Sequence, residues 1–339
     1  MKWIVTGGCG FVGCNLIKHL IQSDDNEIIV YDNLSSVDFR PLQKVYTKDV
    51  YMNESKNKNR NLSLVINDIK DFKSLSSVCM DADIIVHLAA RSGVRESLLD
   101  PRTWMEDNII GTFNILEAAR ENNIKKVIFA SSSATVGDVN PPVDETMISN
   151  PISPYGATKA SCESLLQSYY HSYGIETISL RFSNVYGPYS KHKLSVVAHF
   201  INQFIHKDVI NIFGDGEQTR DFIHVDDLVY AILKLSETDI GGEIFQLSSC
   251  IEKTINKITE LIGNMCEEKN IINDYQTYVK YTDPIKGDIK TNFADNSKIK
   301  SMIEWAPTID LYEGISDLID WFYEEYDNEN RISYDVNKK

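Results

Sequence analysis

The 339-residue chain lacks a positive charge balance, a metal-ligand cluster, a disulfide pattern and any long apolar run. Each lack removes a class of protein. Lysine and arginine number 34 against 49 aspartates and glutamates, for a formal net charge of −15. General nucleic-acid binding needs a basic footprint, so no nucleic-acid partner is expected, although a local basic pocket for phosphates stays open. The six cysteines (Cys9, Cys14, Cys79, Cys162, Cys250, Cys266) form no Cys-x-x-Cys pair and no Cys/His cluster at zinc spacing. No metal site is expected, and in a chain this long the thiols read as reduced, several of them buried. No apolar run approaches the ~18 residues of a membrane span, so no membrane partner is expected. The first strand begins at Lys2, which leaves no room for a secretory leader, and a soluble, cytoplasmic protein is expected. No internal repeat is visible.

What remains is ordinary for a soluble enzyme: 42% hydrophobic and 24% charged residues. Lys2-Trp3-Ile4-Val5-Thr6 is a short apolar strand followed by Gly7-Gly8-Cys9-Gly10-Phe11-Val12-Gly13 and an amphipathic helix with Phe11, Leu16, Ile17, Leu20 and Ile21 inward. Glycines permit a tight turn and close backbone approach, and the helix N-terminus then faces a pyrophosphate. A second strand, Glu27 to Tyr31, ends at Asp32, nineteen residues beyond Gly13. A carboxylate there accepts hydrogen bonds from the adenosine ribose and repels a 2′-phosphate, which favours NAD over NADP. Tyr46 to Asn61 is polar and reads as an exposed insertion. Leu62 to Ile66 resumes the sheet pattern, with Asp68-Ile69 at its end where an adenine can rest. Asp83 to Ala90 is a buried strand finishing in small residues, which let a cofactor lie against the backbone. His87 on it reads as a satisfied core histidine.

Trp104 to Asn122 reads as one long helix with Ile109, Phe113, Leu116 and Ala119 on a stripe. Asn108 lies on it, and a buried Asn needs partners that a cofactor, a water or a neighbouring backbone supplies. The strand Lys126 to Ala130 leads into Ser131-Ser132-Ser133-Ala134-Thr135. Twenty-two residues after Ser133, Tyr155 opens Tyr155-Gly156-Ala157-Thr158-Lys159. On a helix, Tyr155 and Lys159 project from one face. A hydroxyl facing such a pair can move a proton to or from an alcohol oxygen, because a nearby ammonium favours the phenolate. Strands alternating with helices over the first ~180 residues predict an α/β fold of Rossmann type, a doubly wound parallel sheet. A smaller, interleaved C-terminal substrate-binding domain follows. The expected boundaries are 1–185 for the NAD-binding part (with returns near 222–250), 186–326 mainly for the substrate-holding part, and 327–339 for a polar tail. A return to the sheet is expected at Ile244 to Leu247.

Assembled, these residues resemble the extended short-chain dehydrogenase/reductase family, closest to the UDP-sugar 4-epimerases. The resemblance runs from Lys2 to Tyr323 and is carried by Gly7 to Gly13, Asp32, Asp68-Ile69, His87 to Ala90, Ser133 to Thr135, Tyr155 with Lys159, Arg181 to Pro188, Gly214 to Asp221 and Gly287-Asp288. It implies NAD as cofactor, held by Gly7, Gly10, Phe11, Val12, Gly13, Asp32, Asn33, Asp68, Ile69, Leu88, Ala89, Ala90, Asn108, Tyr155 and Lys159. It implies a UDP-sugar substrate, contacted by Ser133, Asn184, Val196, Asn211, Phe213, Arg220 and Asn292. Ser133, Tyr155 and Lys159 become the catalytic residues, with oxidation at C4 and hydride return to the other face of the 4-keto sugar. A homodimer built from the helices around 108–122 and 154–173 is implied as well.

Three departures from the family pattern stand out. Val136 and Gly137 are adjacent where the family usually has an intervening Tyr. Ile285 replaces a diphosphate-binding Arg, so Lys286 or Lys193 is the candidate for the missing charge. Asn292 stands where a bulky Tyr in some relatives blocks N-acetylated sugars, which favours UDP-N-acetylglucosamine or UDP-glucose as substrate. A UDP-glucuronate 4-epimerase stays open, with Arg95 or Lys193 meeting the carboxylate. A 4,6-dehydratase is disfavoured, because Ala134 and Thr135 stand where that chemistry needs Asp-Glu. A non-catalytic NAD sensor is disfavoured by retention of Ser133, Tyr155 and Lys159.

Overall fold

The computed structural model describes residues 1–46, 62–284 and 289–336. The first half alternates strand and helix: β1 (Lys2–Thr6), α1 (Phe11–Leu20), β2 (Glu27–Asp32), α2 (Arg40–Tyr46), β3 (Leu62–Ile66), α3 (Phe72–Val78) and β4 (Ile84–His87). Then come α4 (Val94–Leu99), α5 (Pro101–Met105), a π-helical turn (Glu106–Ile110), α6 (Gly111–Glu121), β5 (Lys126–Ser132), α7 (Pro154–Tyr173) and β6 (Glu176–Phe182). With β10 (Glu243–Leu247), the strands form one parallel sheet in the order β10-β6-β5-β4-β1-β2-β3. β4 and much of β5 are buried on both faces, as a parallel sheet covered by helices requires. The strand order reverses beside β1, and the cleft that this reversal opens at the carboxyl ends of β1 and β4 is where such sheets bind ligands.

The remaining elements are β7 (Asn184–Tyr186), α8 (Val196–His206), β8 (Ile210–Phe213), β9 (Thr219–His224), α9 (Val225–Ser236), β11 (Glu252–Thr254), α10 (Ile255–Glu268), β12 (Val279–Thr282), β13 (Thr291–Asn292), α11 (Ser297–Ile303) and α12 (Leu311–Val336). A small sheet, β11-β9-β13 with β7 on β9, and the β12-β8 pair form a second layer. Its own apolar core packs α8 against α10 and α12 through Phe200, Phe204, Ile258 and Phe322. β10 returns to the large sheet beside β6, at the expected Ile244 to Leu247.

Two expectations fail locally. The helix from Trp104 is interrupted by the π turn, whose extra residue rotates the helix beyond it; Leu116 and Ala119 stay buried but Phe113 is 42% exposed. The expected tail from Asp327 continues α12 as far as Val336, in a stretch with neither Gly nor Pro to stop a helix. The expected insertion, apart from Tyr46, lies outside the described residues, as do Ile285, Lys286, Gly287 and Asp288.

Candidate active site

The glycine loop is shaped by contact with the strand beside it. Gly7 has φ +69°, and a Cβ there would stand 2.6 Å from the Ala89 nitrogen. A Cβ on Gly13 would stand 2.5 Å from the Gly8 Cα, so α1 starts as close to the loop as backbone allows. Gly10 caps α1 without a side-chain bond, which leaves first-turn N–H groups for an anion. Asp32 accepts from the Cys9 nitrogen (3.0 Å) and the Leu34 nitrogen (2.9 Å). Burial raises its carboxyl above the usual range, and those two donors work against the rise. Asn33 donates to Asp68 at 2.9 Å, joining the ends of β2 and β3.

Gly7, Gly10, Phe11, Val12, Gly13, Asp32, Asn33, Asp68, Ile69, Leu88, Ala89 and Ala90 line one cleft together with Tyr155 and Lys159. Asn108 does not line it. Its amide accepts from the Arg91 nitrogen (2.8 Å) and donates to the Arg91 oxygen (3.1 Å) and to Thr158 Oγ1 (2.9 Å). The buried Asn is therefore satisfied by neighbouring backbone and by α7, and braces the loop after β4. Ser35, Ser36, Arg91, Ser92 and His192 line the cleft without having been expected there. Ser35 and Ser36 simply continue the loop after Asp32; His192 arrives on a segment from the second layer, for which the sequence carries no local signal. His87 bonds Thr6 Oγ1 (2.7 Å) and Thr112 Oγ1 (3.0 Å), and burial holds its imidazole down to about 3, the satisfied core histidine expected.

The residues expected to move protons come from α7 and β5. Ser153 caps α7 by accepting from the Gly156 nitrogen at 3.1 Å, with Pro154 in the first turn. The Tyr155 nitrogen donates to Ser97 Oγ at 3.2 Å, pinning the same end to α4. Three consecutive residues of β5 then meet three residues of α7. Lys159 Nζ donates to the Ala130 oxygen (2.7 Å), Ser131 Oγ donates to Glu163 (2.6 Å), and the Ser132 hydroxyl, which accepts from the Ala134 nitrogen (3.2 Å), lies beside the Tyr155 phenol. Burial raises the Tyr155 phenol, and the neighbouring Ser132 hydroxyl opposes that rise. Burial lowers Lys159 to about 8, against the fields of Cys162 and Glu163, which raise it.

Ser133, the serine expected to face Tyr155, points elsewhere. Its hydroxyl donates to Gln246 Oε1 (3.2 Å) and the Phe182 oxygen (3.5 Å). Strand β5 ends at Ser132 and a 3₁₀ turn starts at Ser133, so the pleat phase decides which of three adjacent serines meets the tyrosine.

In the second layer, Asn184 donates to the Asp221 oxygen at 3.2 Å, and Val196 opens α8 half-buried. On β8, Asn211 is exposed and Phe213 half-buried, and the Arg95 guanidinium lies 4.8 Å from the Phe213 ring centroid. Arg220 donates to the oxygens of Thr219 and Ile289, both at 2.7 Å, and pairs across the ladder with Asn292. The Asp221 carboxylate accepts from Ser249 N and Oγ (both 2.8 Å) and from Cys250 N (3.1 Å). Lys193 lines the same cleft, where its amine donates to Ser92 Oγ at 3.4 Å. Among the described residues no three His, Cys, Asp or Glu are grouped to hold a metal, and no helix is long and apolar enough to cross a membrane.

A parallel sheet with a glycine loop at its switch point, an aspartate at the end of β2 and a Tyr-Lys pair in the same cleft defines a dinucleotide-dependent enzyme of the short-chain dehydrogenase type. The pattern of the NAD dependent epimerase/dehydratase family matches residues 3–248, and the chain belongs to that family, with NAD as its cofactor. It is 33% identical to a UDP-glucuronate 4-epimerase of Thermodesulfobacterium geofontis, over 94% of this chain and 95% of that one. Among solved structures it resembles the UDP-N-acetylglucosamine 4-epimerase of Methanobrevibacter ruminantium M1 in complex with UDP-N-acetylmuramic acid. That match has 34% identity and a TM-score of 0.84, covering 96% of this chain and 98% of that one. It also resembles the UDP-glucose 4-epimerase of Thermotoga maritima with UDP-glucose, at 31% identity and TM-score 0.85, covering 96% of this chain and 100% of that one.

Proposed function

We propose that the chain is an isomerase that inverts C4 of a UDP-sugar. The observation that carries the proposal is that Tyr155 and Lys159 line the same cleft as the glycine loop, with Ser132 beside the tyrosine. NAD, when bound, supplies the hydride acceptor and donor. Tyr155 takes the proton from the sugar 4-hydroxyl and later returns it to the same oxygen, on the opposite face of the ring. Ser132 hydrogen-bonds the phenol and so holds it in one orientation. Lys159, turned from the Ala130 oxygen toward the cofactor ribose, places a positive charge beside the phenolate and favours it. Ala134 and Thr135 carry no carboxyl, and Thr135 is buried with its hydroxyl on the Ser132 oxygen (3.0 Å), which speaks against elimination of water by a dehydratase.

Asn292, across the ladder from Arg220, is smaller than the Tyr that blocks N-acetylated sugars in some relatives, and on that ground UDP-N-acetylglucosamine and UDP-glucose are the proposed substrates. A second reading, UDP-glucuronate, is favoured by Lys193. Its amine is held below the usual range by burial, lines the cleft with Tyr155 and has no ion pair among the described residues. A homodimer through α6 and α7 fits the exposed Phe113 (42%) and Tyr173 (55%) on those helices; a monomer mass by light scattering would exclude it. The test of function is proton NMR of the purified protein with UDP-N-acetylglucosamine, UDP-glucose and UDP-glucuronate in separate tubes. A new anomeric signal of the 4-epimer is expected in at least one tube without added NAD. No signal in any tube, even after NAD⁺ is supplied, overturns the proposal.

A further inference from the structure

Helix α7 carries two buried charged residues four apart, Lys159 and Glu163, on the face that also bears Tyr155. Glu163 takes no part in the proton transfer described above. It is 4% exposed and binds Arg181, itself 2% exposed, through both carboxylate oxygens at 2.9 and 2.8 Å. Ser131 adds a third bond to the same carboxylate, and Ser131 and Arg181 are register partners on β5 and β6. One carboxylate therefore grips the ends of two adjacent strands from the helix above. The next residue on β5 is Ser132 and the preceding one is Ala130, the partners of Tyr155 and Lys159.

The pair is poorly arranged for stability alone. Arg181 Nη1 and Nε2 of its cross-strand neighbour Gln246 are buried with no hydrogen-bond partner among the described residues. A buried ion pair is commonly matched or bettered in stability by well-packed apolar residues, whereas loss of one partner strands a charge. What apolar residues cannot reproduce is a directional three-way bond that sets how far the helix slides along the strands.

We propose that Glu163, Arg181 and Ser131 are positioning residues that lock α7 onto β5 and β6 in the register bringing Tyr155 to Ser132 and Lys159 to the cofactor cleft. The proposal rests on the reading of Tyr155 and Lys159 as the acid–base pair.

The test compares Glu163→Gln, Arg181→Met and the charge-free double variant Glu163→Leu/Arg181→Met with the wild type in three measurements: thermal stability, NAD affinity, and kcat and KM for whichever UDP-sugar turns over. The double variant is expected to melt at or above the wild-type temperature. Its kcat is expected to fall about 100-fold, the scale of an ångström-level misplacement, with KM little changed. Its NAD is expected to bind about tenfold more weakly, because Lys159 shifts with the helix. A double variant that recovers stability and also keeps wild-type kcat and NAD affinity makes the network merely structural and overturns the proposal. If the wild type turns over no UDP-sugar, the epimerase reading fails. The NAD measurement still decides the register claim, weakened binding in the stable double variant supporting it and unchanged binding overturning it.

Discussion

Replacing Ser132 by alanine removes the hydroxyl that lies beside the Tyr155 phenol, and replacing Ser133 removes one that bonds Gln246 and Phe182 instead. The two variants differ by one residue in a run of three identical ones, so they isolate geometry from composition. A hydrogen bond to an ionised group contributes roughly 1.5–3 kcal/mol, and a tenfold rate change corresponds to about 1.4 kcal/mol. If the bond to Ser132 is made fully only when Tyr155 is a phenolate, Ser132→Ala lowers kcat roughly 10- to 150-fold and leaves KM nearly unchanged. Because the same hydroxyl opposes the upward push of burial on Tyr155, an alkaline shift of the pH–rate profile accompanies the loss. Ser133→Ala leaves Gln246 Oε1 without its 3.2 Å donor in a fully buried site, a cost of about 1–3 kcal/mol in stability, while kcat stays near wild type. The assay is NMR-monitored epimerisation across pH, beside thermal denaturation of both variants. A Ser133→Ala enzyme that loses more activity than Ser132→Ala, with stability intact, refutes the assignment.

Lys159 provides a pH prediction. Its amine falls from 10.5 to about 8 in the folded chain, which costs the charged form roughly 3 kcal/mol. The unfolded chain holds the proton up to higher pH, so the cofactor-free protein gains stability as pH rises from about 8 toward 10.5. Lys159→Met is expected to be more stable than the wild type at pH 7, with that advantage shrinking through the same window, and to be inactive; equal urea midpoints at pH 7 would contradict it. Gly13→Ala places a Cβ 2.5 Å from the Gly8 Cα, so a loss of several degrees in melting temperature and of NAD binding is expected, read by scanning fluorimetry with and without NAD. Asn292→Tyr is expected to lower turnover of UDP-N-acetylglucosamine relative to UDP-glucose by about tenfold, the scale of a steric clash in a pocket; an unchanged ratio removes Asn292 as the gate.

The parts legible in the chain itself were those whose signal is local. A strand, a glycine loop and a helix in succession require no distant partner to be recognised, and Asp32 follows them at the distance the βαβ unit imposes. Near-continuous apolar runs such as Ile84 to Val86 announced strands buried on both faces. Tyr155 and Lys159 share a face because helical periodicity puts them there. The residues named from such segments line one cleft together, Asn108 excepted, and residues of crossing loops join them there.

Tertiary structure decided what periodicity leaves degenerate. Three serines in a row are equivalent on paper, and only the end of β5 at Ser132, set by its pairing with Phe182 on β6, turns one hydroxyl to Tyr155 and the next to Gln246. Asn108 read as a cofactor ligand until the π turn aimed its amide at Arg91 and Thr158. Glu163 and Arg181 stand eighteen residues apart with no local signal that pairs them, yet the crossover from α7 to β6 brings them to 2.8 Å. Lys193 reaches Ser92 across 101 residues of chain. Local propensity acts over a few residues, and so it writes the elements and their faces into the sequence. Which polar side chain meets which depends on pleat phase, helix rotation and the packing of one layer on another, and those are settled only when the chain closes on itself.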